Sequence, residues 1–180
     1  MSRHSTFFAV ACHRLAHALI ASAPDDDDAV VAAMRLSFSA RTHTGVEIHP
    51  EASIGARLVI DHGFGTVIGQ TVEIGDDCYI LNGVTLGGRM IGDARNGKRH
   101  PTIGHRVQIA GHAKVLGPVR IGDDCVIGPD ATVTRDLPAR TQVLVRRDQA
   151  LEFDRPGARP HLGPLGLGGD GVKPLREARA

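Results

Sequence analysis

The sequence has no tryptophan, one tyrosine and five phenylalanines, so aromatic residues make up 3% of its 180 positions. Helix bundles and β-sandwiches of this size fill their cores with rings, and that route is closed here. Charge of one sign is also missing: 21 Lys and Arg stand against 20 Asp and Glu, for a net charge of +1. Such a balance creates no field that would gather nucleic acid or a membrane surface. Cys12, Cys78 and Cys125 are odd in number and lack any C-x-x-C spacing. They make no disulfide framework, and a reducing, cytoplasmic compartment is expected. No run approaches the ~20 apolar residues of a membrane span. Phe7 to Ala11, followed by Ala21-Ser22-Ala23, imitates a secretory leader, but His13, Arg14 and His17 interrupt its apolar run.

Glycine is abundant, with 22 residues, and it falls in a pattern. Aliphatic residues recur every six positions at Ile48, Ile54 and Ile60, again at Ile68, Ile74, Ile80 and Leu86, and again at Ile103, Ile109, Val115, Ile121, Ile127 and Val133. Glycine follows many of them, as at Gly55, Gly69, Gly75, Gly104 and Gly122, and small or apolar residues stand four positions on, as at Ala52, Val72, Cys78, Ala113 and Cys125. A spacing of six suits neither the 3.6-residue helical period nor simple alternation. It suits a turn every six residues, with branched residues in flat strands and glycine at crowded corners. One such unit cannot bury its apolar side alone, so successive coils must stack into a solenoid. Thirteen rungs at three per coil predict a little over four coils, a stack about 20 Å tall at roughly 4.8 Å per layer. Cys78 and Cys125 then read as core fillers.

The period breaks twice. Two extra residues enter between Ile60 and Ile68, and eleven enter between Leu86 and Ile103. Packing does not select such residues, so function is expected in these breaks. Upstream, Thr6 to Ile20 predicts an amphipathic helix, and Ala29 to Ala40 a second one capped by Asp28. His13 and His17 have metal-ligand spacing, but Arg14 follows where a metalloprotease motif has Glu, so they read as a surface or interface pair. The expected organisation is a helical segment over 1–44, a solenoid over 45–137 with the loop 87–102 inserted, and an extension over 138–180. The repeat decays after Asp136, and the Gly- and Pro-rich stretch 156–180 is expected to be flexible.

His62, His100 and His112 stand where a solenoid needs no histidine, and a histidine is the natural general base near neutral pH. Glu47 precedes His62 by fifteen residues, close to one coil once the break is counted. Its carboxylate could therefore orient the imidazole. The same spacing also suits two exposed corner residues.

Gly45-Val46-Glu47-Ile48-His49-Pro50, Asp61-His62-Gly63, Val67-Ile68-Gly69, Val84-Thr85-Leu86-Gly87-Gly88, Arg99-His100-Pro101-Thr102-Ile103 and Ala113-Lys114-Val115-Leu116-Gly117 occur in this order. Together they resemble the serine O-acetyltransferases, members of the left-handed β-helix acyltransferases, from about residue 7 to 136. The resemblance implies a mainly β fold, a left-handed parallel β-helix behind a short helical segment, assembled as a homotrimer with each site between neighbouring solenoids. It implies acetyl transfer from acetyl-CoA to the L-serine hydroxyl with no metal. His62 would be the general base, Glu47 its orienting group, and His100 a further catalytic residue. Asp61 and Arg99 would hold the acceptor, with Arg99 on a carboxylate. Backbone N–H groups near Gly88 would face the oxyanion, and Gly87, Gly88, Ala110, Gly111 and Ala113 would leave room for the pantetheine arm. Arg89, Arg95 and Lys98 of the inserted loop, opposed by Asp93, could meet the phosphates of coenzyme A.

Two departures from the family pattern bear on these expectations. The upstream segment that supplies an Asp to the acceptor's amino group is absent from this sequence, which leaves open another hydroxyl amino acid or a larger hydroxyl metabolite. The sequence ends Glu177-Ala178-Arg179-Ala180 where sulfhydrylase-docking relatives end in Ile, so docking is not expected. Two rival readings share the architecture. One is a γ-type carbonic anhydrase-like zinc enzyme using His62, His100 and His105; the other is a non-catalytic scaffold.

Overall fold

The computed structural model describes residues 5–90 and 97–145. Helices α1 (Ser5–Ser22) and α2 (Asp27–Thr44) precede fourteen short strands among the described residues. These are β1 (Glu47–Ile48), β2 (Ser53–Ile54), β3 (Val59–Ile60), β4 (Val67–Ile68), β5 (Glu73–Ile74), β6 (Tyr79–Ile80), β7 (Thr85–Gly87), β8 (Thr102–Ile103), β9 (Gln108–Ile109), β10 (Lys114–Leu116), β11 (Arg120–Ile121), β12 (Val126–Ile127), β13 (Thr132–Val133) and β14 (Gln142–Val143). All pairings are parallel and make the three faces of a prism: β1-β4-β7-β10-β13, then β2-β5-β8-β11, then β3-β6-β9-β12-β14. No helix among the described residues is long and apolar enough to cross a membrane.

The hexad explains this shape. In each strand the aliphatic turns inward while its predecessor turns outward, so Ile60, Ile80, Ile109 and Ile127 stack as one buried ladder down the third face. Ala52, Cys78, Ala113, Cys125 and Ala131 fill the corners from inside and are fully or almost fully buried. On the first face, paired residues lie 20, 18, 29 and 18 apart from coil to coil. A plain coil is therefore three hexads, and the two breaks add two and eleven residues.

The corner between the second and third faces needs left-handed backbone, and no glycine supplies it. Arg57, Asp77, Arg106, Asp124 and Arg140 take φ values between 55° and 61°, a conformation that L-residues visit rarely. They stack in a column of alternating charge. Arg57 Nε lies 2.5 Å from Asp77 Oδ1, and Arg106 Nε lies 2.7 Å from Asp124 Oδ1.

The solenoid runs further than the six-residue period indicates. Leu137 bridges to Ile121, and β14 pairs with β12 at a spacing of 16 residues, Val126 with Gln142. The last coil is two residues short, which ends the sixfold spacing while the coil itself continues beyond the expected boundary at 137. The stretch 156–180 lies outside the described residues, as do Asp93 and Arg95.

The helices close the base. Ser53 and Gly55 of the first coil donate up to Val72 and Ile74, and because alternate residues of a parallel strand face opposite sides, carbonyls such as those of Ile48, Ala52 and Ile54 face down with no strand beneath them. Buried or open, such an edge needs donors. His13 Nε2 meets the Ala52 carbonyl at 3.0 Å, His17 Nδ1 the Pro50 carbonyl at 2.8 Å, and Ser37 Oγ the Ile48 carbonyl at 2.7 Å. The Arg14 guanidinium takes those of Ile54 and Gly55. His13 and His17 are thus not a surface pair; their rings stack at 5.7 Å, and His13 is 2% exposed. The cap of α2 is Asp26 rather than Asp28: the Asp26 carboxylate accepts the Asp28 N–H at 2.9 Å, and Asp28 lies inside the first turn, where a negative charge suits the helix dipole.

Candidate functional site

The two breaks emerge on opposite edges of the first face. The first forms the corner between the third and first faces, before β4. Here Gly63 and Gly65 take φ values of 57° and 78°, and the Gly63 N–H turns back to the Asp61 carbonyl at 2.7 Å. This tight loop pushes His62 outward, with its side chain 77% exposed and its Nε2 3.9 Å from Asp61 Oδ1. The same Asp61 oxygen accepts the His62 N–H at 2.9 Å, and Asp61 Oδ2 accepts the Tyr79 hydroxyl at 2.7 Å.

Glu47 lies next to this corner without joining it. A Cβ placed on Gly63 would lie 2.8 Å from Val46 Cγ2, so the residues beside His62 and Glu47 pack together. The Glu47 carboxylate itself pairs with Arg41 of α2 at 3.1 Å. Among the described residues, no hydrogen bond or ion pair joins Glu47 to His62.

The second break forms the corner between the first and second faces. Its far end is tied down by Thr71: Thr71 Oγ1 accepts the Arg99 and His100 N–H groups, each at 3.1 Å. Lys98 Nζ donates to the Thr71 carbonyl at 3.0 Å and to Glu73 at 2.7 Å. His100 is buried, with its ring seated over Gly69. Its Nδ1 accepts the Thr71 N–H at 3.1 Å, so the neutral ring carries its proton on Nε2 and is a donor there. Burial, helped by Arg99, His49 and Lys98, lowers its pKa and keeps it neutral. Arg99 is exposed, and with Arg89, Lys98 and Arg135 it lines a basic cleft of about 630 Å³.

The glycines and alanines expected along the pantetheine path divide. Gly87 and Gly88 are half-buried at the second corner, with nothing nearer than 3.8 Å to a Cβ on Gly88. Ala110 and Gly111 lie at the corner between the third and first faces, one coil above Asn82. Ala113 is corrected: its side chain is wholly buried, because it occupies the inward small position of its hexad and cannot line a surface groove. His112 stays on the His62 edge, its Nε2 3.2 Å from Asn82 Nδ2. His105 lies at the remaining corner, where its Nδ1 accepts the Asp76 N–H at 3.0 Å. The three histidines of the zinc reading therefore occupy three different corners of one protomer, and no group of three or more His, Cys, Asp or Glu among the described residues is arranged to hold a metal.

Sequence reasoning missed Tyr79, Thr71 and Arg41. For Tyr79 a signal exists: it is the only tyrosine, on an outward hexad position, 18 residues after Asp61.

A prism of stacked parallel hexads places the chain among the hexapeptide-repeat transferases. The model of the bacterial transferase hexapeptide (six repeats) matches residues 100–135. A serine acetyltransferase of Helicobacter pylori is 48% identical over 147 residues, covering 82% of this chain and 81% of its own. The chain belongs to the serine acetyltransferase family, and its fold is the left-handed parallel β-helix. Two solved structures are similar. The Neisseria gonorrhoeae serine acetyltransferase in complex with serine has a TM-score of 0.71 at 35% identity, covering 80% of this chain and 56% of that one. A serine acetyltransferase in complex with CoA has a TM-score of 0.69 at 32% identity, covering 77% and 54%. The chain thus spans about half the length of these solved chains.

Proposed function

We propose that this protein transfers an acetyl group from acetyl-CoA to the hydroxyl of L-serine, giving O-acetylserine and free coenzyme A. The observation that carries the reading is the exposed Asp61–His62 pair on a left-handed β-helix of the serine acetyltransferase family. His62 takes the hydroxyl proton as the serine oxygen attacks the thioester carbonyl. The tetrahedral oxyanion is met by backbone N–H groups near Gly88. As it collapses, the C–S bond breaks and the thiolate recovers the proton from His62. Transfer is direct, since the three cysteines are buried and none can serve as a covalent relay.

Asp61 holds the acceptor's ammonium and Arg99 its carboxylate. His100, neutral and donating from Nε2, contributes a hydrogen bond toward the acceptor. Glu47 orients His62 once its carboxylate turns from Arg41. Gly87, Gly88, Ala110 and Gly111 accommodate the pantetheine arm, while Arg89 and Lys98 face the phosphates of coenzyme A.

The working unit in this proposal is a homotrimer. Its support is the division of the site: His62, Ala110 and Gly111 lie on one edge of the first face, and His100, Gly87 and Gly88 on the other. Joining them takes the edges of two protomers. A cytoplasmic setting accords with the unpaired cysteines.

The test is release of free thiol from acetyl-CoA by the purified protein, with L-serine, D-serine, homoserine and threonine offered separately. Turnover with L-serine is expected. No turnover with any of them, while acetyl-CoA still binds, overturns serine as acceptor. A sedimentation mass of one or six chains overturns the trimer.

A further inference from the structure

Tyr79 sits in the outward column of the third face, between Val59 of the coil below and Gln108 of the coil above. An outward hexad position asks nothing of its side chain beyond solubility. This one carries the only phenol of the chain, and that phenol reaches down one coil to Asp61. The Asp61 carboxylate is thereby held at both oxygens by donors from two different coils: the His62 N–H on Oδ1 at 2.9 Å and the Tyr79 hydroxyl on Oδ2 at 2.7 Å. Two such bonds fix the plane of the carboxylate, which a single bond leaves free to rotate.

The carboxylate opens onto a cleft of about 970 Å³ between α1 and the third face, walled by Phe7, Val10, Leu15, Val59 and Tyr79. The cleft also holds Arg14 and Arg57. Both are engaged elsewhere, Arg14 on the carbonyls of Ile54 and Gly55 and Arg57 on Asp77. The donor that Tyr79 presents to Asp61 is a neutral hydroxyl. A cation in its place would cancel the charge that an ammonium group seeks, whereas a phenol orients the carboxylate and leaves its charge intact. The hydrogen bond to Asp61, more than burial, raises the Tyr79 pKa, so the hydroxyl keeps its proton through the range in which enzymes work.

We infer that Tyr79 is a positioning residue for the acceptor: its hydroxyl fixes the Asp61 carboxylate in the orientation that receives the acceptor's ammonium group. This rests on the serine acetyltransferase reading. Tyr79 touches neither reacting atom, so its removal acts on acceptor binding and spares acetyl-CoA.

The experiment compares wild type with Tyr79→Phe, varying L-serine and acetyl-CoA in turn. The expected result is a rise in KM for L-serine on the order of 10-fold, the scale of one hydrogen bond to a charged group, with KM for acetyl-CoA unchanged. A second measurement is independent of turnover. With one tyrosine and no tryptophan, phenolate absorbance in an alkaline titration reports Tyr79 alone; its midpoint lies above the ordinary tyrosine value in wild type and falls toward it in Asp61→Asn. An unchanged KM for L-serine in Tyr79→Phe, or the same titration midpoint in Asp61→Asn as in wild type, overturns the inference and leaves the serine reading standing. Wild-type protein that releases no thiol with L-serine overturns the serine reading, and this inference with it.

Discussion

His13 gives its Nε2 proton to the carbonyl of Ala52 across 3.0 Å, joining the first helix to the lowest coil of the solenoid. The other ring nitrogen, Nδ1, is buried without a partner. Protonating it would place a charge in an apolar floor, and burial accordingly lowers the His13 pKa from 6.5 to about 4.

A pH dependence of stability follows. Above pH 6.5 the ring is neutral in the folded and unfolded chain, and its full contribution is present. Between 6.5 and about 4 the unfolded chain binds a proton that the folded chain refuses, so stability falls as pH drops through that window, by roughly 3 kcal/mol in all. Urea unfolding at neutral and mildly acidic pH should show this loss, and a His13→Gln variant should lose markedly less. Equal losses in the two proteins would remove His13 as the cause.

His62 has a different part. Replacing it by Ala should lower kcat by about 10²–10⁴-fold while leaving acetyl-CoA binding intact, because the ring is exposed on a corner loop and no core contact depends on it. Thiol-release kinetics beside a direct acetyl-CoA binding measurement decide the matter. A variant with wild-type turnover has lost no base.

Gly69 provides a test of His100. A Cβ at this position would lie 2.4 Å from His100 Nε2. Gly69→Ala should therefore push the ring out of its seat on Thr71, and a displacement of that size costs turnover on the order of 10²-fold. The fold should survive, since the ladder bond from Gly69 to Leu86 uses backbone atoms. If the variant unfolds at the same urea concentration and turns over at the wild-type rate, His100 has no role in transfer.

The charged column at the corner between the second and third faces bears on register. Rungs of near-identical shape could slip by one coil, and such a slip would stack Arg on Arg where Arg57, Asp77, Arg106 and Asp124 now alternate. Asp77→Asn keeps a residue suited to positive φ and should change the melting temperature little, as expected of exposed pairs. Asp77→Lys places three cations in a row and should lower it clearly relative to Asn, with high salt recovering part of the difference. Equal melting temperatures for the Asn and Lys variants would show that the column carries no such penalty.

The hexad of Ile, Leu and Val with glycine at the corners was enough by itself to determine the solenoid, its three faces and the places where it opens. One aliphatic residue in six has no other route out of water than stacking on its copies, and that condition is local and repeats. Asp61, His62, Arg99 and His100 stood out because they occupy the breaks, where packing had not chosen them. What the tertiary structure alone decided are particular contacts between side chains and their polar partners. His13 and Arg14 are floor donors only because the first coil has no strand below it. Glu47 turns to Arg41 because α2 brings a guanidinium closer than any imidazole, and Tyr79 finds Asp61 because the coil above sets its register. The last coil continues past Asp136 with a corner two residues short. The polar contacts depend on which of several partners arrives nearest once the coils are stacked, and a pattern along the chain does not carry that competition.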